Sequence, residues 1–324
     1  MAGAETARER RGAGGALERE GRLARRRRCA SGLARRATLT TALLLLAACS
    51  GPDALNAITS DEGTRRIVDL RYGEGPRAVL DLTLPPGGAA PDAPVLVFFH
   101  GGAWRSGDKR DYPFLASAFA ARGWIVAVPN YRLVPEGQYP VFMQDAARAV
   151  AALPGLLAAN GLGGERPLVV AGHSAGAQIA ASLALDRRWL AAHGKDPCRD
   201  IAALLGISGP YDFLPATSRL IRAAFGEAAS GTDAEPITHA GPRAPAAVLL
   251  TGAADTTVAP RNSAALARAL QAAGRPASLA VYPGIGHIDI LLAVALPFRH
   301  VAPTLEDADA GLRTALALPP PTCA

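Results

Sequence analysis

Residues 172–176 carry the pattern Gly-x-Ser-x-Gly, with Ser174 at its centre. An apolar run at 167–171 precedes the motif, and a helix-forming stretch at 177–185 follows it. A serine on such a strand-to-helix turn has its hydroxyl lifted out of the sheet, and the helix that begins there points free N–H groups at the same place. The spacing therefore predicts that Ser174 is a nucleophile. From the motif alone, a plain strand-to-helix turn with the same letters is the alternative.

A serine hydroxyl needs a base in order to attack a carbonyl carbon, and that base needs a carboxylate to orient it. Asp255 follows the apolar run 246–250, and His287 lies on a glycine-rich loop after the run 278–282. Both residues thus lie at the exits of predicted strands, where open α/β sheets bind their ligands. We expect His287 to accept the serine proton and Asp255 to orient it, with Asp212, which also follows an apolar run, as the alternative acid.

The loop at 100–104 reads His-Gly-Gly-Ala-Trp and follows the buried-strand pattern at 95–99. Glycines in such a loop let backbone N–H groups approach a developing oxyanion, and one donor of this kind typically lowers the barrier by ~2.7–4 kcal/mol. We expect the N–H groups of Gly101 and Gly102 to form this oxyanion hole together with that of Ala175, the residue after the nucleophile.

Three other side chains beside these motifs have more than one interpretation. His100 is expected to brace the oxyanion loop rather than to transfer protons. His173 either points away from the substrate or borders its pocket, and Trp104 either lines that pocket or packs beneath the loop. No metal-ligand spacing connects the remaining histidines, and there is no Cys-x-x-Cys and no glycine-rich phosphate motif, so we expect no metal and no cofactor.

With these motifs, the chain resembles α/β-hydrolase esterases of the hormone-sensitive-lipase and bacterial carboxylesterase group. The His-Gly-Gly-x-Trp form is more similar to the feruloyl-esterase-like, isoprenylcysteine-methylesterase-like and kynurenine-formamidase-like branches. The segment 130–136 resembles the Tyr-Arg-Leu-x-Pro-Glu segment of this family, and Asp145 matches the acidic position that follows it. The resemblance extends over residues 65–318. Ala103 stands where many lipase-like members have a third glycine, which argues against lipase chemistry on bulky acyl groups.

The resemblance implies an α/β-hydrolase fold, with a mostly parallel eight-stranded sheet flanked by helices and a small partial cap. Eight strand-like segments fit this fold, at 66–72, 78–84, 95–99, 124–128, 168–171, 201–207, 247–250 and 278–282. The first two look like an antiparallel pair, and helical stretches separate the later ones. The segments 186–200 and 212–242 are longer than simple connections, so we expect them to form the cap.

The expected function is that of a serine hydrolase that cleaves carboxylic esters through the Ser174, Asp255 and His287 triad and an acyl-enzyme intermediate. Its expected partner is a small-molecule ester, with a short acyl chain. The same triad would serve amide hydrolysis in a formamidase-like or peptidase-like enzyme. A non-catalytic binding protein with the hydrolase fold is the remaining alternative.

The amino-terminal segment 1–48 has the composition of a leader. Eleven arginines against four glutamates give residues 1–36 a net charge of +7, whereas the whole chain carries +6. The basic charge therefore belongs to the leader, and no nucleic-acid partner is expected for the remainder. The apolar run at 41–48 is shorter than the ~20 residues that span a membrane, and with the basic region before it this run is typical of a secretory signal. The sequence Leu-Ala-Ala-Cys at 46–49 resembles a bacterial lipobox, which implies acylation of Cys49, and a plain signal peptide is the alternative.

We therefore expect a removed leader at 1–48, a lipid-anchor cysteine and tether at 49–63, and a catalytic domain at 64–324. The protein would be exported, as a cell-envelope lipoprotein or as a periplasmic or extracellular protein, and it would contact the membrane only through the lipid on Cys49. An exported chain with two further cysteines, Cys198 and Cys323, suggests a disulfide. The sequence leaves open whether these two cysteines meet.

Overall fold

Eight strands form one sheet in the computed structural model, which describes residues 55–56, 58–59 and 61–323. The strands are β1 (Arg65–Arg71), β2 (Val79–Leu84), β3 (Val95–Phe99), β4 (Ile125–Pro129), β5 (Leu168–His173), β6 (Ala203–Ile207), β7 (Ala246–Gly252) and β8 (Ala277–Tyr282). Their order across the sheet is β1-β2-β4-β3-β5-β6-β7-β8. β2 pairs antiparallel with both β1 and β4, and every other pair is parallel. The predicted mostly parallel eight-stranded sheet is thus confirmed.

Helices fill the connections between the parallel strands, and two further helices follow β8. They are α1 (Pro113–Ala120), α2 (Val141–Ala159), α3 (Ala175–Leu185), α4 (Arg187–Ala191), α5 (Pro197–Asp200), α6 (Arg219–Phe225), α7 (Arg261–Ala272), α8 (Asp289–Leu292) and α9 (Thr304–Ala317). Short 3₁₀ helices lie at Lys109–Asp111, Gly226–Ser230, Pro236–His239 and Leu296–Phe298. A crossover helix between parallel strands packs back onto the sheet, and so both faces of the sheet are covered.

The core consists of two apolar clusters, one on each face of the sheet. Alternate residues of β3 contribute to different clusters: Val97 and Phe99 belong to one, and Leu96 and Phe98 belong to the other. Successive side chains of a strand point to opposite faces. A central strand with both faces covered must therefore be apolar throughout, which explains the unbroken hydrophobic runs in the sequence.

The two segments expected to form a cap are both ordered connections. The longer one, 212–242, is attached to the loop before α2, where Gln138 Nε2 donates to Ala223 O at 2.8 Å and the Tyr139 amide donates to Ala224 O at 2.8 Å. Within the segment, the buried Glu235 carboxylate accepts the amide N–H groups of Phe213 and Leu214. These bonds fix the segment beside the carboxyl ends of the strands.

The end of the predicted tether is packed against the domain. Leu55 is buried in one of the two apolar clusters, and Asn56 Nδ2 donates to Arg110 O at 3.0 Å. The compact unit formed by the sheet and its helices therefore begins at Leu55, before the predicted boundary at 64. The leader at 1–48 and the predicted anchor Cys49 lie outside the described residues.

A disulfide joins Cys198 to Cys323, with their Cα atoms 5.8 Å apart. Cys198 lies in α5, and Cys323 lies six residues after α9 ends. The bond holds the carboxyl-terminal tail against the part of the fold that follows α4, and it answers the question that the sequence leaves open.

Candidate active site

Ser174 lies on the sharp turn between β5 and α3, with φ 55° and ψ −125°. A residue with a side chain rarely adopts this backbone conformation. A Cβ atom on Gly172 would lie 2.2 Å from the Gly176 backbone, and one on Gly176 would lie 1.9 Å from Phe99 O. The Ser174 amide donates to Ile207 O at 3.0 Å, which ties the turn to β6. Both glycines of the motif are therefore required by close backbone approach.

The structure brings Ser174, His287 and Asp255 together. Ser174 Oγ lies 2.9 Å from His287 Nε2, and His287 Nδ1 lies 2.7 Å from Asp255 Oδ2. The Asp255 side chain is fully buried, and its other oxygen accepts the amide N–H groups of Thr257 and Val258 at 2.9 and 2.8 Å. An ionised carboxylate only accepts hydrogen bonds, so His287 carries its hydrogen on Nδ1. Nε2 then faces the serine hydroxyl as an acceptor, which is the arrangement of a general base.

The alternative acid, Asp212, lies elsewhere. This residue is exposed, and its backbone amide donates to Asn262 Oδ1 at 3.0 Å. The structure thus pairs Asp255, and not Asp212, with His287.

His173 supports the His287 loop from behind. It is buried, its Nε2–H donates to His287 O at 2.9 Å, and the two imidazole rings lie 4.7 Å apart. Burial lowers the pKa of His173 to about 3, and the neighbouring His287 adds to this shift. His173 is therefore a neutral side chain that holds the loop. At 2% exposure it has almost no accessible surface, which favours the interpretation that it points away from the substrate.

The loop after β3 has an unusual backbone. Gly102, Ala103 and Trp104 have φ angles of 115°, 51° and 59°, all in the left-handed region. A Cβ atom on Gly102 would lie 2.2 Å from Ser106 O, so only glycine fits there. Ala103 stands where many lipase-like proteins have a third glycine, and its backbone still adopts the conformation that glycine favours.

The amide of Gly101 is already engaged, because it donates to the Tyr112 hydroxyl at 3.2 Å. The expectation that Gly101 is an oxyanion donor therefore needs correction: its N–H braces the loop. Within the part of the chain that the structure describes, the amides of Gly102, Ala103 and Ala175 have no protein acceptor.

His100 is buried beneath this loop. Its Nδ1–H donates to Gly101 O at 2.9 Å, and Arg77 Nη2 lies 3.4 Å from its Nε2. The ring stacks on Tyr131 with centroids 4.3 Å apart, and the Tyr131 hydroxyl donates to His100 O at 2.8 Å. Burial lowers the pKa of His100 to about 4. It is a neutral brace, as expected. No motif in the sequence pointed to Arg77, whereas Tyr131 belongs to the recognised segment 130–136.

Trp104 packs beneath the loop and not along an open pocket. The residue is 3% exposed, and its Nε1–H donates to Gln178 Oε1 at 3.0 Å. The indole stacks on Phe142 and Phe213, each with centroids at 6.1 Å, and meets the edge of Phe225 at 4.9 Å. Phe213 and Phe225 belong to the segment 212–242, so Trp104 joins the oxyanion loop to that segment.

An ion pair holds the neighbouring segment 130–136. The Asp145 carboxylate accepts the Arg132 amide at 3.0 Å and its guanidinium Nε and Nη2 at 2.8 and 2.7 Å. Two residues further on, the Val134 amide donates to Trp104 O at 2.9 Å. The acidic position that follows this segment thus supports the oxyanion loop indirectly.

Two cavities lie at the amino-terminal ends of the parallel strands, away from the Ser174 turn at the carboxyl end of β5. One of about 470 Å³ is lined by Ala246 and Ala277, and another of about 660 Å³ by Val95 and Leu168, and all four residues begin a strand. Among the described residues, no group of three His, Cys, Asp or Glu side chains could hold a metal ion.

The parallel sheet, the serine turn after β5 and the loops after β7 and β8 define an α/β-hydrolase fold. The chain belongs to the BD-FAE family, whose model matches residues 80–270, more than half of its length.

The chain is similar to several proteins of known name. It is 30% identical over 277 residues to the probable isoprenylcysteine alpha-carbonyl methylesterase ICMEL2 of Arabidopsis thaliana. This alignment covers 77% of the present chain and 65% of that protein. It is 30% identical over 158 residues to the kynurenine formamidase of Danio rerio, covering 49% of this chain and 50% of that one. The chain thus spans between half and just under two thirds of these relatives. A propionate-bound esterase of Thermogutta terrifontis shares the fold, with a TM-score of 0.64, 22% identity, and coverage of 81% of this chain and 98% of that one.

Proposed function

We propose that this protein is a serine hydrolase of carboxylic esters. The observation that carries the proposal is the continuous hydrogen-bonded chain from Ser174 through His287 to the buried Asp255. Ser174 Oγ attacks the acyl carbon while His287 Nε2 takes its proton. The tetrahedral intermediate collapses when His287 gives that proton to the leaving alcohol. A water molecule, deprotonated by the same nitrogen, then attacks the acyl carbon, and His287 returns that proton to Ser174 Oγ as the carboxylic acid leaves.

The oxyanion of the tetrahedral intermediate would be held by the amides of Gly102, Ala103 and Ala175. Support for this set comes from their lack of a protein acceptor among the described residues and from the engagement of the Gly101 amide by Tyr112. Ala175 begins α3, so the positive end of the helix dipole stabilises the oxyanion together with the Ala175 N–H.

Ester cleavage is favoured over amide cleavage by the extent of the similarity. The methylesterase relative aligns with 77% of this chain, whereas the formamidase aligns with 49%. Amide cleavage by the same triad is the second candidate, because the formamidase is equally identical over its shorter alignment.

A small ester with a short acyl chain is the proposed substrate class. The indole of Trp104 and the rings of Phe142, Phe213 and Phe225 pack against one another between the oxyanion loop and the segment 212–242. Because Trp104 is 3% exposed, this aromatic cluster leaves no open space for a long acyl chain beneath the oxyanion loop, which supports the proposal.

A panel of p-nitrophenyl esters from acetate to palmitate, with p-nitroacetanilide as the matched amide, tests these proposals. We expect higher kcat/KM for acetate and butyrate than for palmitate, slower cleavage of the amide, and no turnover by Ser174→Ala. Faster cleavage of the amide than of the acetate ester would favour the second candidate. Equal rates for wild type and Ser174→Ala would exclude both.

We also propose that the protein is exported and anchored through a lipid on Cys49. The lipobox-like sequence at 46–49 supports this proposal, and so does the Cys198–Cys323 disulfide, because structural disulfides persist in oxidising compartments. In the native host, Cys49→Ser should move the protein out of the membrane fraction. Mass spectrometry that finds an unmodified amino terminus beyond Cys49 would contradict the proposal.

A further inference from the structure

Gln178 is a fully buried polar side chain on the nucleophile helix α3. Its Oε1 accepts the Trp104 indole N–H at 3.0 Å, and its Nε2 donates to Ser182 Oγ at 3.0 Å. An indole nitrogen can only donate, so the carbonyl end of the amide must face Trp104. A buried amide is costly unless its polar atoms are bonded. The bonds to Trp104 and Ser182 therefore hold Gln178 in one orientation.

The hydrogen bond between Trp104 and Gln178 joins the loop at 100–104 to α3, the two elements that supply the proposed oxyanion donors. Gln178 lies one helical turn after Ser174, and its backbone N–H donates to Ser174 O at 3.2 Å. At the other end of the bond, Trp104 directly follows Ala103 on the oxyanion loop. The Trp104–Gln178 bond therefore connects the Gly102–Ala103 side of the hole with the Ala175 side.

The loop needs such a connection because its backbone is strained. Ala103 and Trp104 both have a side chain and both adopt a positive φ. Residues in sparsely populated backbone regions keep that conformation only when their surroundings determine it. For Trp104, the surroundings are the Gln178 bond, the aromatic rings around the indole and the bond from the Val134 amide to its carbonyl.

We propose that Gln178 is a positioning residue for the oxyanion hole, acting through Trp104. It holds the Gly102 and Ala103 amides at the distance from Ala175 that the tetrahedral intermediate requires. The inference rests on the proposed function, since it assigns a role within the same site.

The test is a double-mutant cycle of Gln178→Leu and Trp104→Phe. Each single variant removes the same bond, so each should lower kcat by about 10–100-fold, less than the ~10²–10³ that follows complete removal of an oxyanion donor. KM should change much less than kcat, because the hole acts on the transition state. The double variant should lose no more than either single one, since the bond can be lost only once. Affinity for a trifluoromethyl ketone, which forms a tetrahedral adduct with serine, should fall in parallel with kcat/KM.

The matched control is Trp124→Phe. Trp124 is also a buried tryptophan, and its indole N–H donates to Asp309 Oδ1 at 2.7 Å. It directly precedes β4 and so lies at the amino-terminal ends of the strands, away from the Ser174 turn. Its substitution should lower Tm without changing kcat.

Two results would overturn the proposal. A Gln178→Leu variant with a lower Tm but wild-type kcat and ketone affinity would make Gln178 a structural residue only. Losses of kcat that multiply in the double variant would mean that the two side chains act independently. In both cases Ser174-dependent turnover by the wild type would leave the proposed function intact, whereas its absence would remove the function and this inference together.

Discussion

Replacement of Asp255 by asparagine changes one atom of the site and tests the proposed role of the carboxylate. Oδ1 of Asp255 accepts two amides, from Thr257 and Val258, at 2.9 and 2.8 Å. In the Asp255→Asn variant, the new side chain can retain both bonds only with its carbonyl oxygen in that position. Its NH₂ group must then face His287 Nδ1, which would have to accept a hydrogen bond there.

The consequence is the wrong tautomer of the base. If His287 accepts at Nδ1, its hydrogen moves to Nε2, which lies 2.9 Å from Ser174 Oγ. That nitrogen can no longer take the serine proton. The same change in a serine protease triad lowers kcat by about 10⁴, which corresponds to ~5.4 kcal/mol of transition-state stabilisation. The side chain is fully buried, so water cannot easily replace the lost acceptor.

The assay is kcat on p-nitrophenyl acetate, with Tm as the measure of folding. Asp212→Asn is the matched control, because Asp212 is exposed and follows β6 instead of β7. It should retain wild-type kcat. If Asp212→Asn were the inactive variant and Asp255→Asn the active one, the assignment of the acid would be wrong.

Three further outcomes are expected. Burial lowers the pKa of His100 to about 4 and that of His173 to about 3, below the unfolded value of ~6.5, so the unfolded chain binds more protons than the folded chain between these values. The free energy of unfolding should therefore fall as pH decreases from 6 to 4.5, by up to about 1.4 kcal/mol per histidine and pH unit. Equal urea midpoints at pH 6.5 and 4.5 would count against buried neutral histidines. Cys323→Ser should lower the free energy of unfolding by about 2–5 kcal/mol with kcat unchanged, and a reductant should do the same to the wild type but not to the variant. Gly176→Ala should abolish activity and folding, because the new Cβ would lie 1.9 Å from a carbonyl oxygen of β3. Gly155→Ala is the matched control: it lies inside α2 with no atom within 4 Å of the new Cβ, so it should stabilise the fold by about 0.5–1 kcal/mol. A normally active Gly176→Ala enzyme would contradict the described turn.

The sequence predicted the sheet well because central parallel strands are recognisable as short apolar runs. All eight predicted strands are present, and β3 has the predicted bounds. The apolar pattern predicts that β6 starts at Ile201, two residues before its observed start at Ala203. Ile201 is apolar and buried, but its amide donates to Pro197 O at the end of α5, and so it ends a helix before the strand begins.

The residues that the sequence could not assign are those whose role depends on a distant partner. The loop motif predicts that the Gly101 amide faces the substrate, but its acceptor is a tyrosine hydroxyl eleven residues away. Gln178 looks like any polar residue within a helix, and only the fold brings it to Trp104, 74 residues earlier in the chain. Spacing indicates which residues share an element, but it does not indicate which groups meet across elements.

The central claim, that Ser174 forms the covalent intermediate, is tested most directly by intact-protein mass spectrometry after treatment with a fluorophosphonate. We predict one adduct per wild-type chain, located on the peptide that contains Ser174, and none on a folded Ser174→Ala variant. An adduct of equal yield on that variant, or on a different residue of the wild type, would contradict the claim.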